Sequence, residues 1–499
     1  MTTHFPVSVA DVVALVTQSA AEGRRLYPVS TGLNWGYGAS QPPVAGCEIV
    51  NLSRMNNILN AERISASAPV AVIEPGVTQG QLQEFLARYC PSLTFNVTGS
   101  ARDTSIIGNS LDRGVGYLGP RCEDLFGLEV VLGTGQVIQT GFRRLGEGSP
   151  LAHCHPHGLG PMLDGLFFQS NMGIVTSACF RLVPRRPVQV ALSMRLRQPQ
   201  SLAAFIDELS VMKREGLLPT VAHVGNRLRT QSTLEHGISL YLRQECGRQG
   251  EALVRETRQA LEFMAPTEWS GLSSVSGSAA QVRVAVNEIR GRLKKLAHVV
   301  LVDEQRLALG LRMFNAARAW RPARIRAAAL CAATPLQGLT TGVPTDAAIE
   351  NLLWMFDCSE LPARELEASN CGLLYINPAF PMDGVLVVSV IRQMTAAAAS
   401  FGHKLYVTIN IETPSALVAV TNLLFDRSST EQCERAHRCA DDLWRVIRSR
   451  GLEVYRARVD MMANVAGPVD SAYWATLRSI KAALDPASII APGRYASER

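Results

Sequence analysis

The stretch Pro28-Val29-Ser30-Thr31-Gly32-Leu33-Asn34-Trp35-Gly36-Tyr37-Gly38, which we call the glycine loop, predicts a ligand-binding turn. Its three closely spaced glycines let the backbone turn sharply and approach a ligand. Successive N–H groups in such a turn form a concave anion site, and Ser30, Thr31 and Asn34 add side-chain donors. Tyr37 places a phenol beside that site. Taken alone, the loop predicts a binding site for an anionic ligand.

A second glycine-rich segment, residues 95–117, is polar and rich in hydroxyl groups, and we interpret it as a second cradle for a large anionic ligand. It leads into Gly114-x-Gly116-x-x-Gly119, which matches the GxGxxG pattern of dinucleotide-binding folds. The match follows a helix-like stretch rather than a strand, and no βαβ unit with a downstream acidic residue surrounds it. We therefore reject a Rossmann fold for this segment.

The length and amino-acid composition limit the classes of protein to which this chain can belong. A chain of 499 residues predicts two or three domains, and 47% apolar with 18% charged residues is typical of a well-packed soluble enzyme. The net charge of +6 is mild and the arginines are scattered, so we expect no nucleic-acid partner. No apolar run reaches spanning length, so we expect no membrane segment. Eleven irregularly spaced cysteines and the absence of a leader favour reduced thiols in the cytoplasm.

Hydrophobic spacing predicts the local structure of the first part of the chain. Ser8 is a candidate N-cap for a helix over residues 8–22, and Thr78 for a helix over residues 78–88. Strands are predicted at residues 26–29, 47–52 and 71–75, a hairpin at 128–138, and a loop entering a strand at 167–176. The proline-flanked arginines at 184–187 indicate a domain boundary.

Beyond that boundary, strand-like and helix-like segments alternate, which predicts an α+β domain with an antiparallel sheet. The predicted strands are residues 188–195, 237–243, 385–391 and 404–411, and the predicted helices are residues 201–215, 251–264, 346–354 and 429–448. Residues 280–333 are predicted to be mostly helical, and residues 473–483 form a further predicted helix.

Several ordered motifs resemble one flavoenzyme family. They are Thr31-Gly-Leu-Asn-Trp-Gly-Tyr-Gly38, Val72-Ile-Glu-Pro-Gly-Val-Thr78, Ser105-Ile-Ile-Gly-Asn-Ser-Leu-Asp-Arg-Gly-Val-Gly-Tyr117, Leu128-Glu-Val-Val131, residues 164–176, Asn422-Leu-Leu-Phe-Asp-Arg427, Val454-Tyr-Arg456 and residues 485–494. In this order they resemble the vanillyl-alcohol oxidase and p-cresol methylhydroxylase family. The resemblance runs nearly end to end, and it is poorest between residues 193 and 371.

The resemblance implies an α+β protein with a two-lobed FAD-binding domain and a cap domain whose antiparallel sheet covers the flavin. We expect the FAD domain to use residues 1–187 and a returning segment, 451–499, and the cap to use residues 188–450. The positions it assigns to FAD are Pro28, Ser30, Thr31, Gly32, Leu33, Asn34, Trp35, Pro75, Gly76, Thr98, Gly99, Ser105, Ile106, Gly108, Asn109, Gly114, Gly116, Tyr117, Leu128, Glu129, Gly173, Ile174, Val175 and Arg494.

In this family two tyrosines and an arginine hold the substrate phenol as a phenolate, and Tyr37, Tyr455 and Arg456 match them by motif. A phenol with a pKa near 10 becomes a much better hydride donor at its para carbon once it is ionised. A fixed guanidinium and two hydroxyl donors lower that pKa and stabilise charge as it moves toward a quinone methide. The resemblance therefore implies hydride transfer from a para-substituted phenol to flavin N5.

Two positions depart from the family pattern. Leu373 stands where the covalent oxidases have the histidine that links the flavin, so we expect non-covalent FAD, although Tyr375 lies nearby and some relatives use a tyrosine linkage. Ser100 stands where the oxidases place an acidic residue near flavin N5. This serine makes base-assisted steps and the stereochemistry of water addition open questions.

The departures keep two alternatives open: an oxidase or dehydrogenase of a non-phenolic alcohol or amine, and a flavoprotein subunit that passes electrons to a protein acceptor. The electron acceptor is oxygen or such a protein, and we expect a homodimer. The segment His153-Cys-His-Pro-His157 holds four potential metal ligands, but its tight spacing does not match a metal-site pattern, so we expect no metal. Glu412 is expected to face the substrate, where it could bind a cationic group.

Overall fold

The computed structural model describes residues 2–465 and 472–496. In this part of the chain, the strands before residue 187 form three small sheets. They are β1 (Thr3–His4), β2 (Arg25–Val29), β3 (Cys47–Asn51), β4 (Val70–Ile73), β5 (Leu93–Thr94), β6 (Leu125–Val131), β7 (Val137–Gln139), β8 (Ile174–Arg181) and β9 (Val183–Pro184). The order β1-β3-β2 is parallel, the order β4-β8-β6-β7 is antiparallel, and β5 pairs with β9.

The later strands form one eight-stranded antiparallel sheet, which we call the cap sheet. They are β10 (Val188–Leu196), β11 (Ala222–Asn226), β12 (Trp269–Gly277), β13 (Ala297–Val302), β14 (Cys371–Tyr375), β15 (Ala379–Pro381), β16 (Tyr406–Ile411) and β17 (Ala416–Asp426). Their order is β13-β10-β12-β11-β16-β17-β14, and β15 also pairs with β17. The predicted α+β class with an antiparallel cap sheet is confirmed.

The helices of the described residues surround these sheets. They are α1 (Val9–Glu22), α2 (Gln79–Tyr89), α3 (Ile106–Leu111), α4 (Leu202–Arg214), α5 (Arg227–Ser232), α6 (Glu235–Gln244), α7 (Gly250–Met264), α8 (Ala279–Leu293), α9 (Glu304–Ala316), α10 (Arg321–Thr340), α11 (Ala347–Met355), α12 (Gly384–Ser400), α13 (Thr430–Ser449), α14 (Met462–Val465) and α15 (Ala472–Leu484). None of these helices combines the length and the apolar character that crossing a membrane requires.

The cap sheet has one apolar and one more polar face. Alternate residues of a strand point to opposite faces, so Ala222 and Val224 of β11 enter the core beneath α4, α8, α12 and α13, whereas His223 points the other way. His223 pairs across the sheet with Asn410, and Tyr375 pairs with Asn422. We call the face that carries these four polar residues the inner face. It presents polar side chains within an otherwise apolar domain.

The segment after α15 returns to the N-terminal sheet. The Leu26 N–H donates to the Ile489 carbonyl at 2.7 Å, and the Ala491 N–H donates to the Leu26 carbonyl at 2.7 Å. These bonds add the returning segment to the edge of β2, the strand that leads into the glycine loop. They bring Arg494 next to that loop.

Local signals in the sequence predicted several elements correctly. The Ser8 side chain accepts a hydrogen bond from the Asp11 N–H at 3.2 Å and caps α1. The predicted hairpin is β6 and β7, and the predicted helix at residues 473–483 is α15. The predicted helices of the cap domain are α4, α7, α11 and α13.

Two predicted strands are wrong. Residues 237–243 belong to α6, where Ile238, Tyr241 and Leu242 are buried at helical spacing. Residues 385–391 belong to α12, which Asp383 caps through the Leu386 N–H at 2.9 Å. In both cases a β-branched or apolar run resembled a strand, but the neighbouring residues continue it as a helix. Strands β11, β12, β13, β14, β15 and β17 of the cap sheet were not predicted.

Candidate active site

A deep cleft lies between the glycine loop, α3 and the start of β8. It contains about 960 Å³ not filled by protein atoms, part of it open to solvent. Its lining consists of Tyr27, Pro28, Val29, Ser30, Thr31, Gly32, Leu33, Asn34, Ala39, Leu52, Thr104, Ser105, Ile107, Gly108, Asn109, Leu111, Asp112, Phe167, Gln169, Ser170, Gly173, Ile174, Val175, Arg456 and Arg494.

The cleft brings together predicted cofactor positions from four separate segments. Those that line it are Pro28, Ser30, Thr31, Gly32, Leu33, Asn34, Ser105, Gly108, Asn109, Gly173, Ile174, Val175 and Arg494. Those that do not line it are Trp35, Pro75, Gly76, Thr98, Gly99, Ile106, Gly114, Gly116, Tyr117, Leu128 and Glu129. Several of the second group support the walls: the Glu129 carboxylate accepts from Thr176 Oγ1 at 3.0 Å, and Trp35 packs in a separate apolar cluster with Leu353.

A buried carboxylate, Asp112, organises the charged end of the cleft. Its Oδ2 accepts from Arg456 Nη2 at 2.9 Å, and its Oδ1 accepts from Arg494 Nη2. Arg456 also donates to Asn34 Oδ1 in the glycine loop. Burial would raise the pKa of Asp112, but the two guanidinium charges outweigh it and hold that pKa below its ordinary value. One negative and two positive charges leave this cluster net positive.

The three residues predicted to bind a phenolate meet beside this cluster. The Arg456 Cζ lies 4.1 Å from the centroid of the Tyr37 ring. The hydroxyls of Tyr37 and Tyr455 are hydrogen-bonded to each other. Asn377 Nδ2 donates to Tyr37 Oη, and its own Oδ1 accepts from the Thr421 N–H at 2.8 Å. Residues 37, 455 and 456 therefore form one constellation of donors.

Burial sets the protonation of the two tyrosines. It raises the pKa of Tyr37 well above the usual value, and the neighbouring Tyr455 adds to that effect while Arg456 opposes it. Burial also raises the pKa of Tyr455, again against the charge of Arg456. Both phenols therefore keep their protons at neutral pH and can act as hydrogen-bond donors.

Leu373 and Tyr375 of β14 both press on the glycine loop. The rings of Tyr375 and Tyr37 stack, with centroids 5.0 Å apart and planes 18° apart. A Cβ on Gly36, whose φ is +73°, would lie 2.4 Å from the Tyr375 ring and 3.0 Å from Leu373 Cγ. Position 36 thus requires glycine for its turn and for this close approach.

Ser100 lies apart from the tyrosine pair. Its Oγ lies 3.1 Å from Thr98 Oγ1 and 3.4 Å from Gln79 Nε2, and it does not line the cleft. A hydroxyl in such a network has no negative charge to offer as a base.

The inner face of the cap sheet adds titratable groups that have few partners. His223 Nδ1 lies 2.8 Å from Asn410 Oδ1, and burial lowers the pKa of His223 to about 4, so its ring is neutral at pH 7. The Tyr117 ring lies 4.6 Å from the His223 ring, which places Tyr117 at this face. Burial and the nearby Glu123 raise the pKa of Glu412 to about 7, and its Oε2 is buried with no hydrogen-bond partner among the described residues.

Comparison with known proteins identifies the family. Residues 3–141 match the family model of an FAD binding domain. The flavoprotein subunit of 4-cresol dehydrogenase (hydroxylating) from Pseudomonas putida is 27% identical over 94% of this chain and 82% of that protein. The structure of 4-ethylphenol oxidase from Gulosibacter chungangensis in complex with isoeugenol superposes with a TM-score of 0.82 at 23% identity, over 100% of this chain and 90% of that one.

A relative from Chondromyces crocatus, 1'-carboxy-chondrochloren decarboxylase, is 31% identical over 98% of this chain and 89% of that protein. The chain belongs to the vanillyl-alcohol oxidase and p-cresol methylhydroxylase family. As a member of this family it is an FAD-dependent oxidoreductase, an oxidase or a dehydrogenase.

The donor set of the cleft fits FAD as this flavoprotein's cofactor. Arg494 supplies positive charge for a diphosphate, and the hydroxyls of Ser30 and Thr31 bind no other described residue. Apolar side chains such as Ile107 and Val175 offer a flat surface for a ring system. The arrangement combines an anion site with an apolar wall, as a dinucleotide flavin requires.

Sequence reasoning missed two residues of this site. Asp112 lies inside a motif that was recognised, but its pairing with Arg456 and Arg494 was not foreseen. An acidic residue within a glycine-rich anion cradle was a usable signal, because such a charge must be matched by cations. Asn377 was not predicted to belong to the site, because no local pattern indicated its bond to Tyr37.

The histidine-rich segment at residues 153–157 forms local contacts. His153 Nε2 lies 3.1 Å from Glu147 Oε2, and His155 Nδ1 lies 2.8 Å from the His157 carbonyl. Within residues 2–465 and 472–496, no three His, Cys, Asp or Glu side chains are grouped as a metal site would require.

Proposed function

We propose that this flavoprotein removes a hydride from the carbon para to a phenol hydroxyl, in an alcohol or alkyl side chain. The observation that supports this proposal is the meeting of Tyr37, Tyr455 and Arg456, of which Arg456 also lines the cleft. These residues come from distant parts of the chain, and together they offer a guanidinium and hydroxyl donors to one oxygen. A para-substituted phenol is the substrate class whose chemistry needs that combination.

The positive charge of Arg456 and the donated hydrogen bonds favour the phenolate over the phenol. The phenolate pushes electron density to its para position, so the benzylic C–H bond releases a hydride and leaves a quinone methide. FAD, when bound, accepts that hydride and later passes the electrons to oxygen or to a protein acceptor. The chain's own residues bind the phenolate and keep it oriented.

The hydrogen-bond order of the two tyrosines gives each a distinct role in the proposal. Tyr37 Oη accepts from Asn377, so its own proton is directed to Tyr455 Oη. Tyr455 is then the residue whose O–H is available to the substrate oxygen. Tyr37 would act mainly by orienting Tyr455, and Arg456 by its charge.

FAD is proposed to be held without a covalent bond to the chain. Leu373 faces the glycine loop at the position where covalent oxidases of the family carry the linking histidine. A leucine side chain has no nucleophilic atom, and the Tyr375 ring is stacked on Tyr37. Retention of the cofactor would therefore rest on the charges and hydrogen bonds of the cleft.

A second candidate function is oxidative decarboxylation of a phenol whose carboxyl group is attached to the side-chain carbon next to the benzylic carbon. The 31% identity to a decarboxylase over nearly the whole chain favours it, as does the absence of an acidic residue at Ser100. Hydride loss would give the quinone methide, and the electron pair of the C–COO⁻ bond would then form the side-chain double bond. Carbon dioxide leaves, the ring returns to a phenolate, and no base is needed.

Anaerobic reduction of the yellow holoenzyme tests both candidates. Para-alkylphenols are expected to bleach the flavin, and the matched methyl ethers are not, because an ether cannot form a phenolate. A carboxylated phenol that bleaches the flavin and releases carbon dioxide would establish the second candidate. Bleaching by a non-phenolic alcohol and by no phenol would overturn the phenol assignment.

The same holoenzyme distinguishes the electron acceptors. Rapid stopped-flow reoxidation of the reduced flavin by dissolved oxygen would identify an oxidase. Slow reoxidation by oxygen together with fast reoxidation by an artificial one-electron acceptor would identify a dehydrogenase that uses a protein acceptor.

A further inference from the structure

Arg229 lies across the inner face of the cap sheet. Helix α5 follows β11 directly, and its Thr230 Oγ1 lies 3.1 Å from Ser270 Oγ on β12. A Cβ at Gly225 would lie 3.9 Å from Arg229 Cγ. This is an ordinary packing distance, so the arginine stem lies over Gly225 on its way to Asn422 of β17.

The guanidinium of Arg229 ends at Asn422 on β17. Its Nη1 donates to Asn422 Oδ1 at 3.2 Å. Among the described residues, no carboxylate forms an ion pair with Arg229. Its positive charge therefore has no counter-charge from the described chain.

Asn422 supplies an independent observation at the same place. Its side chain is buried, with 1% of its surface exposed, and its Nδ2 has no hydrogen-bond partner in the described part of the chain. Because a guanidinium can only donate, Oδ1 must face Arg229 and Nδ2 is the free group. A buried donor without an acceptor costs about 1–3 kcal/mol, so its presence indicates an acceptor from outside the chain.

The groups around this pair do not neutralise it. Tyr117, Tyr406 and His223 lie within range of the Arg229 charge, and the imidazole is neutral at pH 7. Glu235 acts on Tyr406 through its charge but forms no ion pair with Arg229. The pair therefore presents a positive charge and two kinds of N–H donor, which is the complement of a carboxylate.

The pair is close to the phenol constellation. Asn422 is the cross-strand partner of Tyr375 on the inner face, so their Cβ atoms are about 4.5–5.5 Å apart. The Tyr375 ring stacks on Tyr37 at 5.0 Å. Asn422 is thus linked to the phenol constellation through the Tyr375 side chain, on one face of the cap sheet.

We propose that Arg229 and Asn422 bind a carboxylate of the substrate, so that the substrate class is a para-hydroxyphenyl carboxylic acid. The phenol end of this inference rests on the proposed function, whereas the carboxylate end rests on Arg229 and Asn422 alone. Arg229 is a specificity residue, since it selects the acid over a neutral analogue and touches no reacting atom.

The test compares three probes on the holoenzyme: para-hydroxyphenylpropanoate, its methyl ester, and phenylpropanoate, which has the carboxylate but no phenol. Half-saturation of anaerobic flavin reduction is measured for the two phenols, and calorimetry gives the Kd of phenylpropanoate. The variants are Arg229→Gln and Arg229→Lys. The matched control is Arg227→Gln on the same helix, whose exposed side chain bonds only to the carbonyls of residues 266 and 267.

In Arg229→Gln, the concentration of the acid that gives half-saturation of flavin reduction is expected to rise about 10- to 100-fold, because a charge-assisted hydrogen bond is lost. The Kd of phenylpropanoate is expected to rise by about the same factor. The ester and the Arg227→Gln control should change by no more than about twofold. Arg229→Lys should give values between those of the unmodified protein and Arg229→Gln. Such values would show that the charge at position 229, and not a folding defect, is responsible for the weaker binding. Flavin content, compared across variants, confirms that each is folded.

Two results would overturn the inference. One is equal binding of acid and ester by the unmodified protein. The other is an equal loss for acid and ester in Arg229→Gln. If no phenol reduces the flavin, the proposed function fails, and the phenylpropanoate titration still decides the carboxylate site, because that probe needs no phenol chemistry.

Discussion

Two arginine–asparagine arrangements on opposite sides of the active site differ in their partners. On the cofactor side, Arg456 contacts Asn34 and is also ion-paired with Asp112. On the cap side, Arg229 contacts Asn422 and has no ion pair with any described carboxylate. Arg456 and Asp112 are both buried, and a buried charge is costly unless it is paired, so the first arrangement is complete within the chain. Arg229 is only partly buried, and in the second arrangement the buried, unpartnered Nδ2 of Asn422 calls for a ligand. The contrast separates an arrangement that is completed within the chain from one that we propose to recognise a carboxylate.

The largest expected effect concerns attachment of the cofactor. If the cap side recognises the substrate and forms no covalent bond to the flavin, acid precipitation of the yellow holoenzyme should release essentially all flavin into the supernatant. The reason is that the Leu373 side chain cannot form a covalent bond to the flavin. The measurement is the flavin absorbance of pellet and supernatant, with free FAD added to colourless precipitated protein as the control. Colour retained in the pellet would mean that the cap binds the cofactor after all.

Asp112→Asn should be the most damaging single substitution on the cofactor side. Removing the carboxylate leaves Arg456 and Arg494 as neighbouring buried cations, which should cost about 3 kcal/mol or more in the free energy of unfolding and weaken FAD retention. Asp103→Asn, an exposed neighbour in the sequence, is the control. Thermal denaturation and FAD content after gel filtration are the measurements.

The effect of Asp112→Asn should depend on pH in a defined direction. The native pKa of Asp112 is lowered, so its stabilisation is present above the unfolded pKa near 4 and is lost as the pH falls through the native pKa. Unmodified and variant proteins should therefore differ at pH 7 and converge only in acid. A constant difference down to acid pH would contradict the ion-pair explanation.

Tyr455→Phe tests the proposed phenolate site, which lies between the cofactor side and the cap side. It removes the hydroxyl offered to the substrate oxygen and leaves the cleft unchanged, so FAD should be retained while kcat/KM for a para-alkylphenol falls about 100-fold. The remaining activity should shift to higher pH, because the phenol must ionise with less help. An unchanged kcat/KM would remove Tyr455 from the phenolate site.

Glu412→Gln should have the smallest effect, on the cap side. Because the pKa of Glu412 is raised to about 7, its ionisation destabilises the folded protein as the pH rises from about 4 to 7. The free energy of unfolding of the variant should exceed that of the unmodified protein by about 1–2 kcal/mol at pH 8 and by little at pH 4. This range already includes a reduction for solvent screening, because the side chain is partly exposed. Chemical denaturation at both pH values measures this, with Glu360→Gln, at an exposed position, as the control.

Prediction from sequence succeeded where a short motif or a regular spacing carried the information. Ser8 capped its helix, and the glycine loop formed a wall of the cofactor cleft together with residues 105–109 and 173–175. It failed where apolar runs had to be assigned by tertiary context, as in residues 385–391, whose valines pack a helix against the cap sheet. Periodicity alone cannot separate a buried strand from a buried helix over so short a run.

The sequence by itself determined the family and predicted the glycine loop, the boundary near residue 187 and the three residues of the phenol constellation, because each depends on a local motif. Only the tertiary structure decided that Asp112 pairs with Arg456, 344 positions away, and that Arg229 reaches Asn422, 193 positions away. Such contacts join elements that are distant in the chain, and the local sequence around either residue does not indicate which atom that residue will contact. The residue that pairs with each charge is therefore determined by tertiary packing and cannot be read from a local sequence pattern.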